Sequence, residues 1–284
     1  MQHILSSFFK INLSLFVGGR RPDGRHDLYT FFVRLGPLET LTIRETKENN
    51  VRDLLFVRDA SLSGENLLAR AAALLRREGV PLPSLEIDLV KRIPPGSGVG
   101  GGSGNAAAFL RWAERRWLLP DRPLRGLPLG ADVPFLTSGA RAAHATGLGE
   151  ILSPVEAFSL PSVVLAFPRW GSATGAAYAA LDAARGASAS FGLVGARERT
   201  EFLLDRLARG KSVGLLPNDF LPVAEKGRRE YEEAFEEARG AGAAAWGLSG
   251  SGSAFFALAD SGCAHRVAGV WSRHSWVAKI TVWE

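Results

Sequence analysis

The sequence predicts an α+β chain in two lobes. Three observations carry that expectation: runs with strand alternation are interspersed with runs at helical spacing, a glycine-rich stretch at residues 91–110 joins one kind to the other, and the element order restarts beyond Pro161. The stretch KRIPPGSGVGGGSGNAAAFL packs Gly96, Gly98, Gly100, Gly101, Gly102 and Gly104 between a predicted strand end at Ile93 and a predicted helix from Asn105. Glycine tolerates positive φ and close approach, so successive N–H groups can turn toward one oxyanion while the following helix adds its dipole. Phosphate suits such a pocket. Other readings fit less well. A flexible linker need not sit between a strand pattern and an Ala-rich amphipathic run. Gly96, Gly98 and Gly101 satisfy G-x-G-x-x-G, but no ribose-binding acid ends a next strand, and a Walker loop needs lysine where Ser103, Gly104 and Asn105 stand.

Composition bounds the function. The 284 residues are 46% apolar and 22% charged, as in ordinary globular proteins and unlike disordered ones. The formal charge of +5 is spread as scattered arginines, which suits a small anionic ligand and gives no run of like charge to argue for nucleic acid. A single cysteine, Cys263, excludes an intramolecular disulfide and a cysteine-cluster metal site, and fits a reducing cytoplasm. Lys10 interrupts the apolar N-terminal run and no A-x-A site follows, so that run is read as a strand and not as a signal peptide. No run of about 18 apolar residues occurs, so no membrane span is expected.

In chain order, residues 8–17 alternate as a strand with Lys10, Asn12 and Ser14 on one face, which is either a solvent-facing edge or the wall of a site. Pro22-Asp23-Gly24 is a turn that delivers Arg25 and His26 to a strand at 28–35, and a further strand follows at 41–44. A helix is predicted from Glu65 and Asn66 to about Arg77, and a strand at 85–89 leads into the glycine stretch. Asp132 lies in the largely apolar run LGADVPF, where a carboxylate must cap, pair or act. Residues 141–155 read as a hairpin turning at Gly147 to Gly149, with His144 a strand histidine. The second half runs strand 162–167, helices 174–184 and 199–208, a turn or cap at Pro217-Asn218-Asp219-Phe220, a charged helix with Tyr231, Phe235 and Ala238 inward, a Gly/Ser loop at 249–253 between two short strands, a helix near 264–272 and a strand near 276–282. Its β-α-β-β-type order suggests helices on an antiparallel, ferredoxin-like sheet. Two lobes, 1–157 and 158–284, are expected to leave a cleft, with the glycine stretch and Asp132 on the first and the Gly/Ser loop on the second.

Together these pieces resemble the small-molecule kinase superfamily that includes galactokinase, homoserine kinase and mevalonate kinase. Within it the chain looks most like the 4-diphosphocytidyl-2-C-methyl-D-erythritol kinases of the non-mevalonate isoprenoid pathway. The matching segments, in family order, are KINLSLFVGGRRPDGRHDL, GENLLARAAALL, KRIPPGSGVGGGSGNAA, LGADVPF with the GLGE after it, PNDF and SGSGSAFF. The resemblance implies a ribosomal-protein-S5-like first lobe, a ferredoxin-like second lobe, and transfer of the terminal phosphoryl group of ATP to a tertiary alcohol. It makes Asp132 the base and Lys10 its partner. It assigns Pro94, Pro95, Gly96, Gly98, Gly100, Gly101, Gly102 and Ser103 to the ATP phosphates, Ser103 also to Mg2+, and Asn66, Lys91 and Asn105 to the adenine. Asn12 and His26 fall where the family meets its diphosphocytidyl substrate.

Two departures bear on that set. The family's second serine after the triple glycine is Gly104 here, which is expected to loosen the loop, and its tyrosine before the histidine is Arg25. Arg25 is expected to stack on the cytosine in the tyrosine's place, with Tyr178 as the aromatic on the other face. The competing readings are a related kinase acting on another alcohol or acid and a nucleotide-binding protein without catalysis; an RNA-binding module has no aromatic-rich basic motif to support it. The expected partners are ATP and a small-molecule substrate, not nucleic acid or membrane, and the expected assembly is a monomer or weak homodimer.

Overall fold

The computed structural model describes residues 1–46, 53–58, 66–156, 159–186 and 193–284. In chain order the elements are β1 (Gln2–Arg20), β2 (His26–Glu45), β3 (Leu54–Arg58), α1 (Leu67–Arg77), β4 (Leu85–Val90), α2 (Gly101–Arg116), α3 (Val133–Ser138), β5 (Ala142–Thr146), β6 (Ile151–Val155), β7 (Ser162–Pro168), α4 (Thr174–Arg185), α5 (Ala196–Ala208), β8 (Gly214–Leu215), α6 (Leu221–Ala224), α7 (Arg229–Gly240), β9 (Ala245–Leu248), β10 (Phe255–Ala259), α8 (Ser261–Trp271) and β11 (Val277–Trp283). They form two compact units that interleave along the chain. The first holds Met1–Lys10, Arg34–Pro95 and Gly100–Ala140; the second holds Ile11–Val33, Gly96–Val99 and Arg141–Glu284. The expected boundary between residues 157 and 158 lies outside the described residues.

In the first unit β4 pairs antiparallel with the C-terminal part of β2, Thr40 opposite Val90, and parallel with β3, Leu54 opposite Glu86. Helix α1 buries Leu68, Ala71, Ala72 and Leu75, the i, i+3, i+4, i+7 stripe of an amphipathic helix. Asn66 caps it, its side-chain oxygen accepting the Leu68 N–H at 2.9 Å. The two strands predicted at 28–35 and 41–44 are one strand, β2, which continues through Gly36 at φ +112. β3 has no counterpart among the predicted elements.

In the second unit the N-terminal part of β2 pairs with β5, and β5 with β6, as the hairpin reading required. A second sheet has the order β11-β7-β10-β9-β8. Taking β7, β9, β10 and β11 as strands one to four, that order is four-one-three-two, the ferredoxin-like arrangement, with the two-residue β8 added parallel to β9. Helix α7 turns Tyr231, Ala234, Phe235 and Ala238 inward and leaves its acidic residues on the outer face. These residues join Val164, Phe255, Val267 and Trp271 in one apolar cluster, and the Trp271 indole donates to Ala234 O at 2.9 Å. No helix among the described residues is long and apolar enough to cross a membrane.

Phe255 is fully buried in β10, edge-on to Tyr231 and to Trp271. Replacing it with alanine is expected to lower unfolding free energy by about 3–5 kcal/mol in urea titrations, and a loss below about 1 kcal/mol would show that this cluster is not the unit's core.

Candidate active site

The three polar residues on one face of β1 are all buried: Lys10 is 3% exposed, Asn12 4% and Ser14 1%, so the solvent-facing edge is excluded. Lys10 ends the first unit's share of β1, and its Nζ lies 3.6 Å from Asp132 Oδ2. Burial pushes the Lys10 ammonium below its ordinary range, and the Asp132 carboxylate opposes that shift. Asp132 stands at the N-terminal position of α3 but makes no capping bond, and its side chain keeps 30% exposure. Its carboxylate is therefore held by a cation on one side and open to a ligand on the other. Gly100 completes this corner at φ +68: a Cβ built there would lie 3.2 Å from Asp132 Oδ2 and 3.5 Å from Lys10 Cε.

Helix α2 starts at Gly101, four residues earlier than predicted, with Gly100 before it and no side-chain cap. Gly101, Gly102 and Ser103 thus belong to its first turn, whose N–H groups form the electropositive end of a 16-residue helix. Ser103 Oγ would lie 3.7 Å from a Cβ at Gly130, in the segment that carries Asp132. Asn105 is buried in the next turn, its Oδ1 without a hydrogen-bond partner among the described residues.

Gly104 does the opposite of loosening this turn. A Cβ there would sit 1.8 Å from Phe8 O, so β1 crosses α2 at a distance only glycine allows. The entry to the glycine stretch is fixed by a residue the sequence did not single out. Glu39 is 1% exposed, and its Oε1 accepts from Lys91 Nζ at 2.6 Å, Arg92 N at 2.9 Å and Ile93 N at 2.7 Å. Burial lowers the Lys91 pKa and Glu39 counteracts it. Lys91, expected at the adenine, has its ammonium committed to Glu39. Pro94 follows half-buried and Pro95 exposed.

Residues Gly96–Val99 cluster with the second unit, which corrects the expectation that the whole glycine stretch belongs with Asp132. They interlock with the Gly/Ser loop. Gly96 O accepts from Ser172 N at 2.8 Å and Ser253 N at 3.1 Å, and Ser97 O accepts from Ala254 N at 2.9 Å. A Cβ on Gly98 would lie 2.2 Å from Ser249 O, and one on Gly250 2.5 Å from Gly98 O. Asn12 supports the same loop, taking the Gly250 N–H at 2.9 Å while its amide donates to Thr30 Oγ1 at 2.8 Å. Asn218 donates to Leu248 O and Gly250 O, each at 2.9 Å. Asp219 accepts the Val17 N–H at 2.7 Å and pairs with Arg185 at 2.6 Å. The PNDF segment, read only as a turn or cap, is thus a clamp on β1 and on the Gly/Ser loop.

His26 is 6% exposed, and its Nε2 lies 2.8 Å from Asp182 Oδ1, which accepts. Its ring stacks on Tyr178, centroids 5.0 Å apart and planes 17° from parallel, and Tyr178 meets Phe220 edge-on. Tyr178 and His26 are brought together, whereas Arg25 lies exposed in the turn, its N–H bound to Asp23 Oδ1 at 3.0 Å. Asp182 went unmarked because one acid on an amphipathic helix carries no signal of its own. His144 is a strand histidine, its Nδ1 2.6 Å from the Tyr29 hydroxyl.

The glycines separate two kinds of constraint. Gly98→Ala places a methyl group against Ser249 O at a φ of +75 and is expected to cost at least about 2 kcal/mol of stability. Gly102→Ala meets only Leu67 Cδ1, at 3.5 Å, and is expected to cost nothing and to gain up to about 1 kcal/mol from helix propensity. Equal denaturation midpoints for the two variants would contradict the interlock.

Residues 66–145 match the GHMP kinases N terminal domain family and residues 204–275 the GHMP kinases C terminal family. The 4-diphosphocytidyl-2-C-methyl-D-erythritol kinase of Solidesulfovibrio magneticus is 37% identical over 256 residues, covering 88% of this chain and 86% of the relative. The enzyme of that name from Prosthecochloris aestuarii is 35% identical over 272 residues, covering 92% and 91%. A crystal structure of 4-(cytidine 5'-diphospho)-2C-methyl-D-erythritol kinase aligns with all of this chain and 97% of its own at a TM-score of 0.75 and 33% identity. Homoserine kinase from Cytophaga hutchinsonii shares the fold, with a TM-score of 0.67 at 17% identity over 100% of this chain and 94% of its own. With an uncapped helix start beside a buried lysine paired to a part-exposed aspartate, and with relatives of this identity along nearly its whole length, the chain belongs to the 4-diphosphocytidyl-2-C-methyl-D-erythritol kinase family of the GHMP kinases.

Proposed function

We propose that the chain transfers the terminal phosphoryl group of ATP to the 2-hydroxyl of 4-diphosphocytidyl-2-C-methyl-D-erythritol, a step in the non-mevalonate route to isoprenoid precursors, with Asp132 as the base. The observation that carries this reading is the Lys10–Asp132 pair, 3.6 Å apart, beside Gly100 at the uncapped start of α2. Asp132 takes the proton of the hydroxyl as its oxygen bonds to the terminal phosphorus; the bond from that phosphorus to the bridging oxygen breaks and ADP leaves. Lys10, 3.6 Å away, holds the carboxylate in place, and its positive charge offsets the charge that builds on the transferring group.

The ATP reading fits the residues present. Gly100, Gly101, Gly102 and Ser103 offer a helix start with no competing side-chain cap, the arrangement an anion uses. Asn105 contributes a buried oxygen still able to accept a hydrogen bond. Pro94, Pro95, Gly96 and Gly98 shape the backbone before that turn, Lys91 with Glu39 fixes its entry, and Asn66 holds the start of α1. For Mg2+ the hydroxyl of Ser103 is a hard oxygen donor of the kind that ion prefers, and the ion would offset charge on the phosphates. The functional division proposed is 1–157 and 158–284; separate family matches at 66–145 and 204–275 support that reading, while the compact units interleave along the chain.

For the substrate, the Asp182 carboxylate favours hydrogen on His26 Nε2. With that hydrogen on Nε2, Nδ1 is left as an acceptor suited to the exocyclic amine of cytosine. Tyr178 braces that ring, Asn12 positions the neighbouring backbone, and Arg25 supplies a planar cation for the base face.

Two measurements test these roles. Asp132→Asn is expected to lower kcat by about 10²–10⁴-fold with ATP affinity nearly unchanged, and an unchanged kcat would remove Asp132 from the reaction. Asp182→Asn is expected to raise KM for the diphosphocytidyl substrate by about tenfold while KM for ATP stays constant; equal KM values for the diphosphocytidyl substrate in wild type and variant would overturn the His26 reading.

A further inference from the structure

A second concave site lies within the first unit, along the flank of α2. It is a cavity of about 570 Å³ between the start of β1 and α2, within the usual size of small-molecule pockets. Arg34, Arg111, Arg115 and Arg116 line it together with apolar surface from Trp112 and Leu136, and no carboxylate among the described residues does. Arg111 and Arg115 stand four positions apart on α2, a spacing that sets two like charges side by side at a cost to the helix. Burial and the neighbouring Arg115 both push the Arg111 guanidinium below its ordinary pKa, which Glu114 opposes. Arg116 is tied at 3.2 Å to Glu45, so its charge is partly met.

We infer that this cavity binds a small amphiphilic anion, with a phosphate or carboxylate head on Arg111 and Arg115 and an apolar body along Trp112 and Leu136. Like charges four residues apart are a liability in an empty site and an asset around an oxyanion, which accepts charge-assisted hydrogen bonds from both guanidinium groups. The apolar wall explains why a bare anion is not the preferred guest: burying hydrocarbon on it adds favourable free energy that inorganic phosphate cannot gain. The assigned catalytic pair, Lys10 and Asp132, does not line the cavity, so occupancy does not require displacement of a substrate from that pair.

The test is calorimetric titration of the intact protein with octyl phosphate, in the presence of saturating ATP to keep phosphate binding at the catalytic site out of the signal. One saturable site is expected, at least about tenfold tighter for octyl phosphate than for inorganic phosphate. Arg111→Gln with Arg115→Gln is expected to weaken octyl phosphate at least about tenfold, the equivalent of one charge-assisted hydrogen bond, while kinase turnover and melting temperature stay near wild type. Should the double variant unfold, Arg115→Gln alone is expected to give the same direction of change. Absence of saturable binding overturns the inference. Binding that the arginine variants leave unchanged, or that octyl and inorganic phosphate share equally, overturns it too.

Discussion

A lysine with 3% exposure must find an anion, because an unpaired buried ammonium costs several kilocalories per mole. Lys10 finds Asp132, and much of the first unit's local geometry follows from that need. Asp132 gives up the capping role that its place before α3 would suggest. Gly100 holds φ +68, which strains any L side chain, and a methyl group there would crowd Asp132 Oδ2 at 3.2 Å; α2 then begins without a cap. The same arrangement that solves the burial of a charge leaves a half-open carboxylate next to an anion-seeking helix start. Stability and chemistry are here two consequences of one contact.

The second unit is organised by backbone proximity in place of charge. Gly98 and Gly250 bring two loops to distances at which no side chain fits, and Asn12, Asn218 and Asp219 satisfy the backbone groups around that contact. Glycine is costly in conformational entropy, and the hydrogen bonds of these three side chains offset part of that cost. The polar face of β1 thus serves two ends: Lys10 meets a carboxylate, and Asn12 meets a loop.

Much of this was legible in the residues. Helical spacing found the inner face of α7, turn chemistry found the hairpin at Gly147, and motif order led to Asp132 and Lys10. What escaped the sequence did so for physical reasons. The pattern gives two strands, 28–35 and 41–44, where the chain forms the single strand β2 with Gly36 at φ +112 inside it. The start of α2 was set four residues late because glycines argue against helix, a propensity overridden where the backbone must pass within reach of Phe8. Gly104 is expected to loosen the loop because it stands where the family has serine, and the close approach to Phe8 that requires glycine there leaves no local trace in the sequence. Glu39 and Asp182 matter through partners 52 and 156 positions away, and no local pattern encodes such a pairing.

If the Lys10–Asp132 pair acts as a unit, its two members cannot contribute independently to the reaction. A double-mutant cycle on kcat with Lys10→Met and Asp132→Asn measures that dependence directly. Each single variant is expected to lose most of the activity, and the double variant to lose little more than the worse single one. Losses that multiply across the cycle would contradict the account, because they would show two residues acting separately where the structure joins them.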